Sequence, residues 1–360
     1  MGIKIGIPRA LLYYDYFLFW STFFEGLGAE IILSPKTNKE ILNSGIKAVE
    51  ETCLPVKVFM GHVQSLANQK IDYLFIPRYV STEPRRFPCP KFMGLPDMVK
   101  ELPGIPPALN VDIDIRKHKG EVPEEMYRLG RVFTFNPWKI RLAYRLALEN
   151  QESFKNRMHR GLQPEEIFFN RTDTKTDRTL KQNSTLRLGL IGHSYNLYDR
   201  YINMDIITKL QEMGAEIVTS KMFSDREINQ VLKKLQKDIF WSFGKETIGS
   251  AYYLLDDASV DGIILLVSFA CGPDSLIVDL IERAYKRTER PFLTLVLDEH
   301  SAEGGIITRL EAFIEMLKRR KQKNESYIST YGKSVDCPED PILKTGPRVD
   351  TSTADNQENG

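Results

Sequence analysis

Two stretches of this chain, roughly half its length apart, carry the same order of local signals, and that repetition limits the fold more than anything else in the sequence. The first runs Lys4-Ile5-Gly6-Ile7-Pro8, passes through a helical run, and reaches Leu27-Gly28-Ala29-Glu30-Ile31-Ile32. The second runs Arg187-Leu188-Gly189-Leu190-Ile191-Gly192, passes through a helical run, and reaches Met213-Gly214-Ala215-Glu216-Ile217-Val218. Each reads as strand, turn, helix, glycine stop and strand, the grammar of a βαβ unit with parallel strands and a right-handed crossover. The shared Gly-Ala-Glu-Ile block at the same point of both units predicts a duplication.

The second half continues the pattern most cleanly. Strands are predicted at Leu188–Ile191, Glu216–Thr219, Ile239–Trp241, Gly262–Val267 and Phe292–Leu297. Helices are predicted near Asp199–Met213, Asp225–Gln236, Lys245–Leu255, Pro273–Arg287 and Gly304–Arg319. Gly262–Val267 is apolar throughout, as a strand covered on both faces should be. In the first half, strands are predicted at Lys4–Ile7, Glu30–Leu33, Asp72–Ile76 and Ala108–Ile113, and helices at Ala10–Glu25, Asn38–Val49 and Leu54–Asn68. Phe87–Pro107, rich in Pro and Gly, reads as an irregular loop, and Trp138–Arg160 as a long helix bridging the halves. Alternating strands and helices of these lengths imply parallel, doubly wound sheets.

The expected fold is therefore α/β, with two Rossmann-like (flavodoxin-like) parallel-sheet domains at residues 1–136 and 186–321. A bridging helix and linker occupy 137–185, with Arg171–Ser184 as the polar, turn-rich linker, and a disordered tail occupies 322–360. The start of the chain runs straight into a strand pattern without a signal-peptide profile, and no apolar run approaches a membrane span. The net charge is +1, which supplies no field for nucleic acid or an anionic membrane surface. Four cysteines without disulfide-like density fit a reducing, cytoplasmic setting.

In open parallel sheets, ligands bind beyond the carboxyl ends of the strands. The residues just after the predicted strands are Arg9, Arg78 with Cys89 in the loop beyond, His193, Cys271, and Asp298-Glu299-His300. Cys53 stands at a predicted helix start, with Thr52 as the expected cap. Three of the four cysteines sit in Pro- or Gly-flanked turns: Thr52-Cys53-Leu54-Pro55, Pro88-Cys89-Pro90 and Cys271-Gly272-Pro273. Converging thiolates would suit an iron–sulfur cluster or zinc. Backbone N–H groups freed at helix starts would offset the charge of a cluster. Nothing has the CxxC spacing of structural zinc, although a zinc hydrolase remains a third reading. Cys337, beside Pro338 in the tail, reads as a free thiol without a role. No GxGxxG, P-loop or GxSxG signature is present, so dinucleotide binding and an esterase elbow lack support.

At the level of whole motifs the chain resembles the activase-related proteins of the 2-hydroxyacyl-CoA dehydratase superfamily. The matching stretches are Ile5-Gly6-Ile7-Pro8-Arg9-Ala10-Leu11, Glu51-Thr52-Cys53-Leu54-Pro55-Val56-Lys57, Phe75-Ile76-Pro77-Arg78 and Pro88-Cys89-Pro90. Asp298-Glu299-His300-Ser301-Ala302-Glu303 and Thr308-Arg309-Leu310-Glu311-Ala312-Phe313 complete the set, which covers most of residues 1–320. The resemblance implies Rossmann-like domains and a cluster, of the 4Fe-4S or double-cubane type, held by Cys53, Cys89 and Cys271. It further implies low-potential electrons delivered by a separate ATP-dependent activator, because this chain has no actin-like ATPase region of its own. The implied chemistry is an Fe-S reductase or an acyl-CoA dehydratase-type lyase component in an anaerobic setting, acting as a hetero- or homodimer with neither nucleic acid nor membrane as partner. No CoA-binding signature is visible, so an acyl-CoA substrate comes by analogy alone. His193, Glu299 and His300 are the expected catalytic residues, with Arg9 and Arg78 as anion or substrate contacts. The alternative is a non-catalytic binding or scaffold subunit, favoured if the aromatic first helix (Phe17, Leu18, Trp20, Phe23, Phe24) presents an apolar patch.

Overall fold

The computed structural model describes residues 2–117, 123–169, 185–235, 238–288 and 290–326. The expected linker at 171–184 and nearly all of the expected tail, Cys337 included, lie outside the described residues. The first half contains β1 (Lys4–Ile7), α1 (Tyr13–Leu27), β2 (Glu30–Leu33), α2 (Lys39–Ala48), α3 (Leu54–Ala67), β3 (Tyr73–Phe75), β4 (Arg78–Ser81), α4 (Pro90–Lys100), β5 (Ala108–Leu109) and β6 (Asp112–Asp114). After these come α5 (Glu124–Gly130), α6 (Pro137–His159) and α7 (Pro164–Phe168). The second half contains β7 (Leu186–Gly192), α8 (Ser194–Tyr198), α9 (Ile206–Glu212), β8 (Ala215–Thr219), α10 (Asp225–Leu232), α11 (Ser242–Asp256), β9 (Gly262–Ser268), α12 (Gly272–Lys286), β10 (Phe292–Leu297) and α13 (Glu303–Ser326).

Two four-stranded parallel sheets result, ordered β2-β1-β3-β5 and β10-β9-β7-β8, with a two-stranded parallel pair β4-β6 beside them. Counted by order of appearance, both large sheets follow the order second, first, third, fourth. The repetition read from the sequence is thus a repetition of topology. Each sheet reverses direction of growth between its first and third strands, β1/β3 and β7/β9, which is where α/β sheets open a binding crevice. The glycine stops match as well: Gly28 (φ 93°) and Gly214 (φ 89°) take the left-handed conformation that closes the helix before β2 and before β8.

β9 is buried along its whole length, as its apolar run requires. The aromatic α1 is a core helix, with Phe23 and Phe24 fully buried and Phe17 and Trp20 nearly so. Leu18 and Phe19 on the same helix are half-buried and pack against the core. Helices α2 and α3 meet backbone to backbone: a Cβ on Gly45 would lie 1.8 Å from the Lys57 carbonyl oxygen, and one on Gly61 1.9 Å from that of Ile41. These two glycines set how closely α3, and hence its first turn, can approach. No helix among the described residues is long and apolar enough to cross a membrane.

Four sequence expectations need correcting. Ile239–Trp241 is not a strand; Trp241 makes a single parallel bridge to Phe87 of the other half. Arg86 holds this segment in place, its Nε donating to the Ile239 carbonyl and its Nη2 to Asp238. Phe87–Pro107 contains the helix α4. Ala108–Ile113 divides between β5 and β6, which belong to different sheets. The helix expected over Asp199–Met213 is interrupted, because Asp199 Oδ1 accepts the N–H groups of Tyr201 and Ile202 while Asn203 Nδ2 donates to the carbonyls of Asn196 and Leu197. Met204 and Asp205 then take positive φ before α9 begins.

A buried polar chain joins the halves. Thr37 Oγ1 donates to Asp199 Oδ2 at 2.6 Å and lies 2.9 Å from His62 Nε2, whose Nδ1 is 2.8 Å from Ser34 Oγ. Because the threonine proton is committed to Asp199, His62 Nε2 must carry the other proton and Nδ1 must accept from Ser34. Burial, aided by Arg9, lowers His62 to about 3. Burial raises Asp199 to about 6 against hydrogen bonds from Thr37, Ile202, Tyr201 and Tyr14. The signs oppose. The His62 contribution is present above its unfolded value near 6.5 and is lost as pH falls toward 3, whereas that of Asp199 is present below about 3.8 and is lost as pH rises through 6. The fall in stability between pH 6.5 and pH 4 should be smaller in His62→Gln than in the natural chain by about 3 kcal/mol. Urea unfolding at the two pH values measures it, and an equal fall in both proteins would refute the assignment.

Candidate metal centre

Cys53, Cys89 and Cys271 share one local structure. Each is the N-cap of a helix, α3, α4 and α12 respectively, in extended backbone geometry with a proline in the first helical turn. Proline is tolerated there because its missing N–H would have had no intrahelical partner. None of the three makes a side-chain capping hydrogen bond. The sulfur thus stands where a capping oxygen would, facing the free first-turn N–H groups and the positive end of the helix dipole. Thr52 does not cap α3; its hydroxyl accepts from Lys91 Nζ and so ties the Cys53 turn to the first turn of α4.

Local devices aim each cysteine. Ala270 takes φ 58°, a left-handed conformation strained for alanine, and turns the chain between β9 and Cys271. Phe87 pairs with the Phe240–Ser242 backbone at 3.2 and 3.1 Å, which fixes the approach to Cys89. Cys53 and Cys271 are buried and Cys89 half-buried. Burial pushes the Cys89 thiol up, the N–H groups of Phe92 and Lys91 pull it back, and Cys53 adds to the rise. Burial also pushes the Cys271 thiol up, with Asp274 and Cys53 adding to the rise and the Asp274 N–H opposing it.

Tyr195, in α8, has its ring 5.1 Å from that of His193 and 6.4 Å from that of Phe92. Burial holds its hydroxyl well above the ordinary value, and negative charge on Asp274, Cys271, Cys53 and Cys89 raises it further. The fold therefore brings the cysteines of both halves within electrostatic reach of one side chain. Asn196, the next residue, has a buried Nδ2 with no hydrogen-bond partner, and it lines a small cavity with Tyr195 and Pro55.

Among the residues expected to be catalytic, His193 directly follows β7. Its Nε2 is 2.8 Å from Asp274 Oδ1, and Asp274 Oδ2 accepts the Ser268 N–H at 3.3 Å. Burial alone would lower His193, but the charge and hydrogen bond of Asp274 raise it above its ordinary value. Burial works to raise Glu299, but Lys57 holds that carboxyl below its ordinary range through an ion pair. The ligand atoms of Asp298, Glu299 and His300 lie within 4.8 Å of one another, with His300 exposed. Arg78 is committed to Asp97, Asp112 and the Met93 carbonyl. Arg9 lies over the Phe169 ring with Nη1 3.7 Å from Glu165, and its buried Nε has no partner. Neither arginine is shown beside the cysteines.

Sequence reasoning missed Tyr195, Asp274 and Lys57. Their signal is position: two residues after His193, three after Cys271 and one helical turn after Cys53.

Residues 4–223 match the family described as CoA enzyme activase uncharacterised domain (DUF2229). The chain belongs to this family. Residues 171–317 also match the 2-hydroxyglutaryl-CoA dehydratase D-component, whose members typically carry iron–sulfur clusters. Cys53 and Cys89 fall in the activase-domain segment and Cys271 in the D-component segment, so the three thiols come from both matches. No curated protein matches the chain.

The three thiols are of the donor type that a cluster takes, and they do not stand at the spacing of one tetrahedral zinc site. Tetrahedral zinc with Zn–S of about 2.3 Å needs sulfurs about 3.8 Å apart. Among the described residues no three-cysteine group has its sulfurs within 4.8 Å of one another. First-turn N–H groups of α4 and α12 counter the rise of the Cys89 and Cys271 thiols, the influence that cysteinyl sulfurs of a cluster call for.

Proposed function

We propose that this chain is an iron–sulfur protein that accepts low-potential electrons from a separate ATP-dependent activator and uses them in the reduction or radical dehydration of a small substrate. The observation that carries this reading is the triple N-cap: Cys53, Cys89 and Cys271 open three helices, two in one half and one in the other, and all three act electrostatically on Tyr195. The family match supports dependence on an activator. Cys53, Cys89 and Cys271 would hold the cluster, which when bound supplies storage for a low-potential electron. The chain's own groups do the rest. Backbone N–H groups of Lys91, Phe92 and Asp274 offset negative charge at the sulfurs. His193 holds a proton at Nε2 toward Asp274, beside Cys271, and Lys57 fixes the loop after β10 through Glu299. Three protein thiolates would leave a cluster able to take a further ligand.

The test is reduction of protein purified and reconstituted without oxygen. A low-potential chemical donor should transfer about one electron per cluster and bleach the visible absorption, with reoxidation restoring it. A D-component activator partner should do the same only with ATP. A cluster that no donor reduces would contradict the electron-transfer role.

A further inference from the structure

A cavity of about 360 Å³ lies between α1, α6, α10 and α11. It continues into a second compartment of about 280 Å³, the two sharing Tyr16, Thr82, Gln151 and Lys155 on their walls. The second compartment is aromatic, with Tyr16, Phe19, Trp20, Tyr79 and Tyr144 on its surface. Tyr16 and Tyr79 have ring centroids 5.6 Å apart, and Trp20 Nε1 donates to the Tyr79 hydroxyl at 3.2 Å, so this wall is a built surface.

The charges of the polar compartment are mostly spent on one another. Lys221 pairs with Asp15 and Glu246, and Lys245 with Glu83. Lys155, His159 and Asp225 line the same space with no ion-pair partner among the described residues. Gln151 is buried, and its amide N–H donates to the Asp15 carbonyl at 2.8 Å while its Oε1 has no partner; Ser242 Oγ on the same wall is likewise unpaired. Buried polar atoms left unsatisfied cost about 1–3 kcal/mol each and ask for a partner. Gln151 and Lys155 stand one turn apart on α6, so a free acceptor and a free ammonium adjoin on one face.

One ligand chemistry suits this arrangement. Lys155 takes a carboxylate, the neighbouring Gln151 acceptor and Asp225 take an ammonium, and the aromatic compartment takes a ring. We propose that this cleft binds an aromatic α-amino acid as the zwitterion, with its carboxylate at Lys155, its ammonium toward Gln151 and its ring among the α1 aromatics. The cleft adjoins the cysteine site through Phe243, whose ring is 5.5 Å from Phe92, the residue whose N–H faces Cys89. Binding needs no cluster and is separable from the redox reading.

Calorimetry of the full chain, with and without iron, against L-phenylalanine tests it. L-phenylalanine should bind with Kd below about 1 mM, and 3-phenylpropionate, phenethylamine and L-alanine each at least about tenfold more weakly. Lys155→Met, at an exposed position, should weaken L-phenylalanine at least about tenfold, and Lys155→Arg should restore it. No binding by the natural chain, equal binding of 3-phenylpropionate, or indifference to Lys155→Met would each overturn the proposal.

Discussion

Replacing Lys221 with alanine should lower the stability of the fold by about 3–5 kcal/mol, the cost of breaking a buried ion pair and leaving its partners uncompensated. Lys221 Nζ lies 2.7 Å from Asp15 Oδ1 and 2.8 Å from Glu246 Oε2, with only 16% of its side chain exposed. Asp15 belongs to α1 and Glu246 to α11, so one ammonium fastens the first helix of one half to a helix of the other. Burial works against the charged ammonium, but Asp15 and Glu246 together hold it firmly protonated. Burial raises Glu246, which has only part of one lysine to itself. Removing Lys221 would leave two carboxylates facing each other with only the Ser194 hydroxyl donating to Asp15. Adding Glu246→Gln to Lys221→Ala should recover a substantial part of the loss, because it removes one of the orphaned charges. Urea unfolding of the single and double variants measures both effects. A loss below about 1 kcal/mol in the single variant would mean the pair behaves as a surface salt bridge.

Much of this architecture was legible in the chain because its signals are local. The Gly28 and Gly214 stops, the apolar run of Gly262–Ser268 and the repeated Gly-Ala-Glu-Ile block each act within one turn or strand, and they gave two sheets of the same strand order. The cysteine turns were readable for the same reason, since proline in the first turn marks a helix start wherever it occurs. What could not be read is decided by partners distant in sequence. Ile239–Trp241 has the composition of a short strand, but Arg86, about 150 residues earlier, and Phe87 hold it outside the sheet. Arg78 follows a strand as an anion-binding residue would, yet Asp97 and Asp112 neutralise it. Tyr195 stands two residues after His193, but the influence of cysteines from both halves on it arises only once the chain is folded.

Substituting serine for Cys53, Cys89 or Cys271, one at a time, should reduce bound iron to under about a tenth of the natural level. A serine hydroxyl is a poor substitute for a thiolate toward iron, and two remaining thiolates hold a cluster weakly. The helices should survive, because no cysteine makes a capping hydrogen bond that serine would lose. Serine at these N-caps is itself a favourable residue, so far-ultraviolet circular dichroism and the unfolding midpoint should stay near those of the natural chain. Cys337→Ser should leave iron content unchanged.

The direct measurement is iron and acid-labile sulfide per chain, with the visible spectrum, on protein purified without oxygen and on the three single variants. The account predicts a brown natural protein with about 4 iron and 4 sulfide, or about twice that for a double cubane, and colourless variants. A natural protein that stays colourless and iron-free after reconstitution, or full iron in all three serine variants, would contradict it.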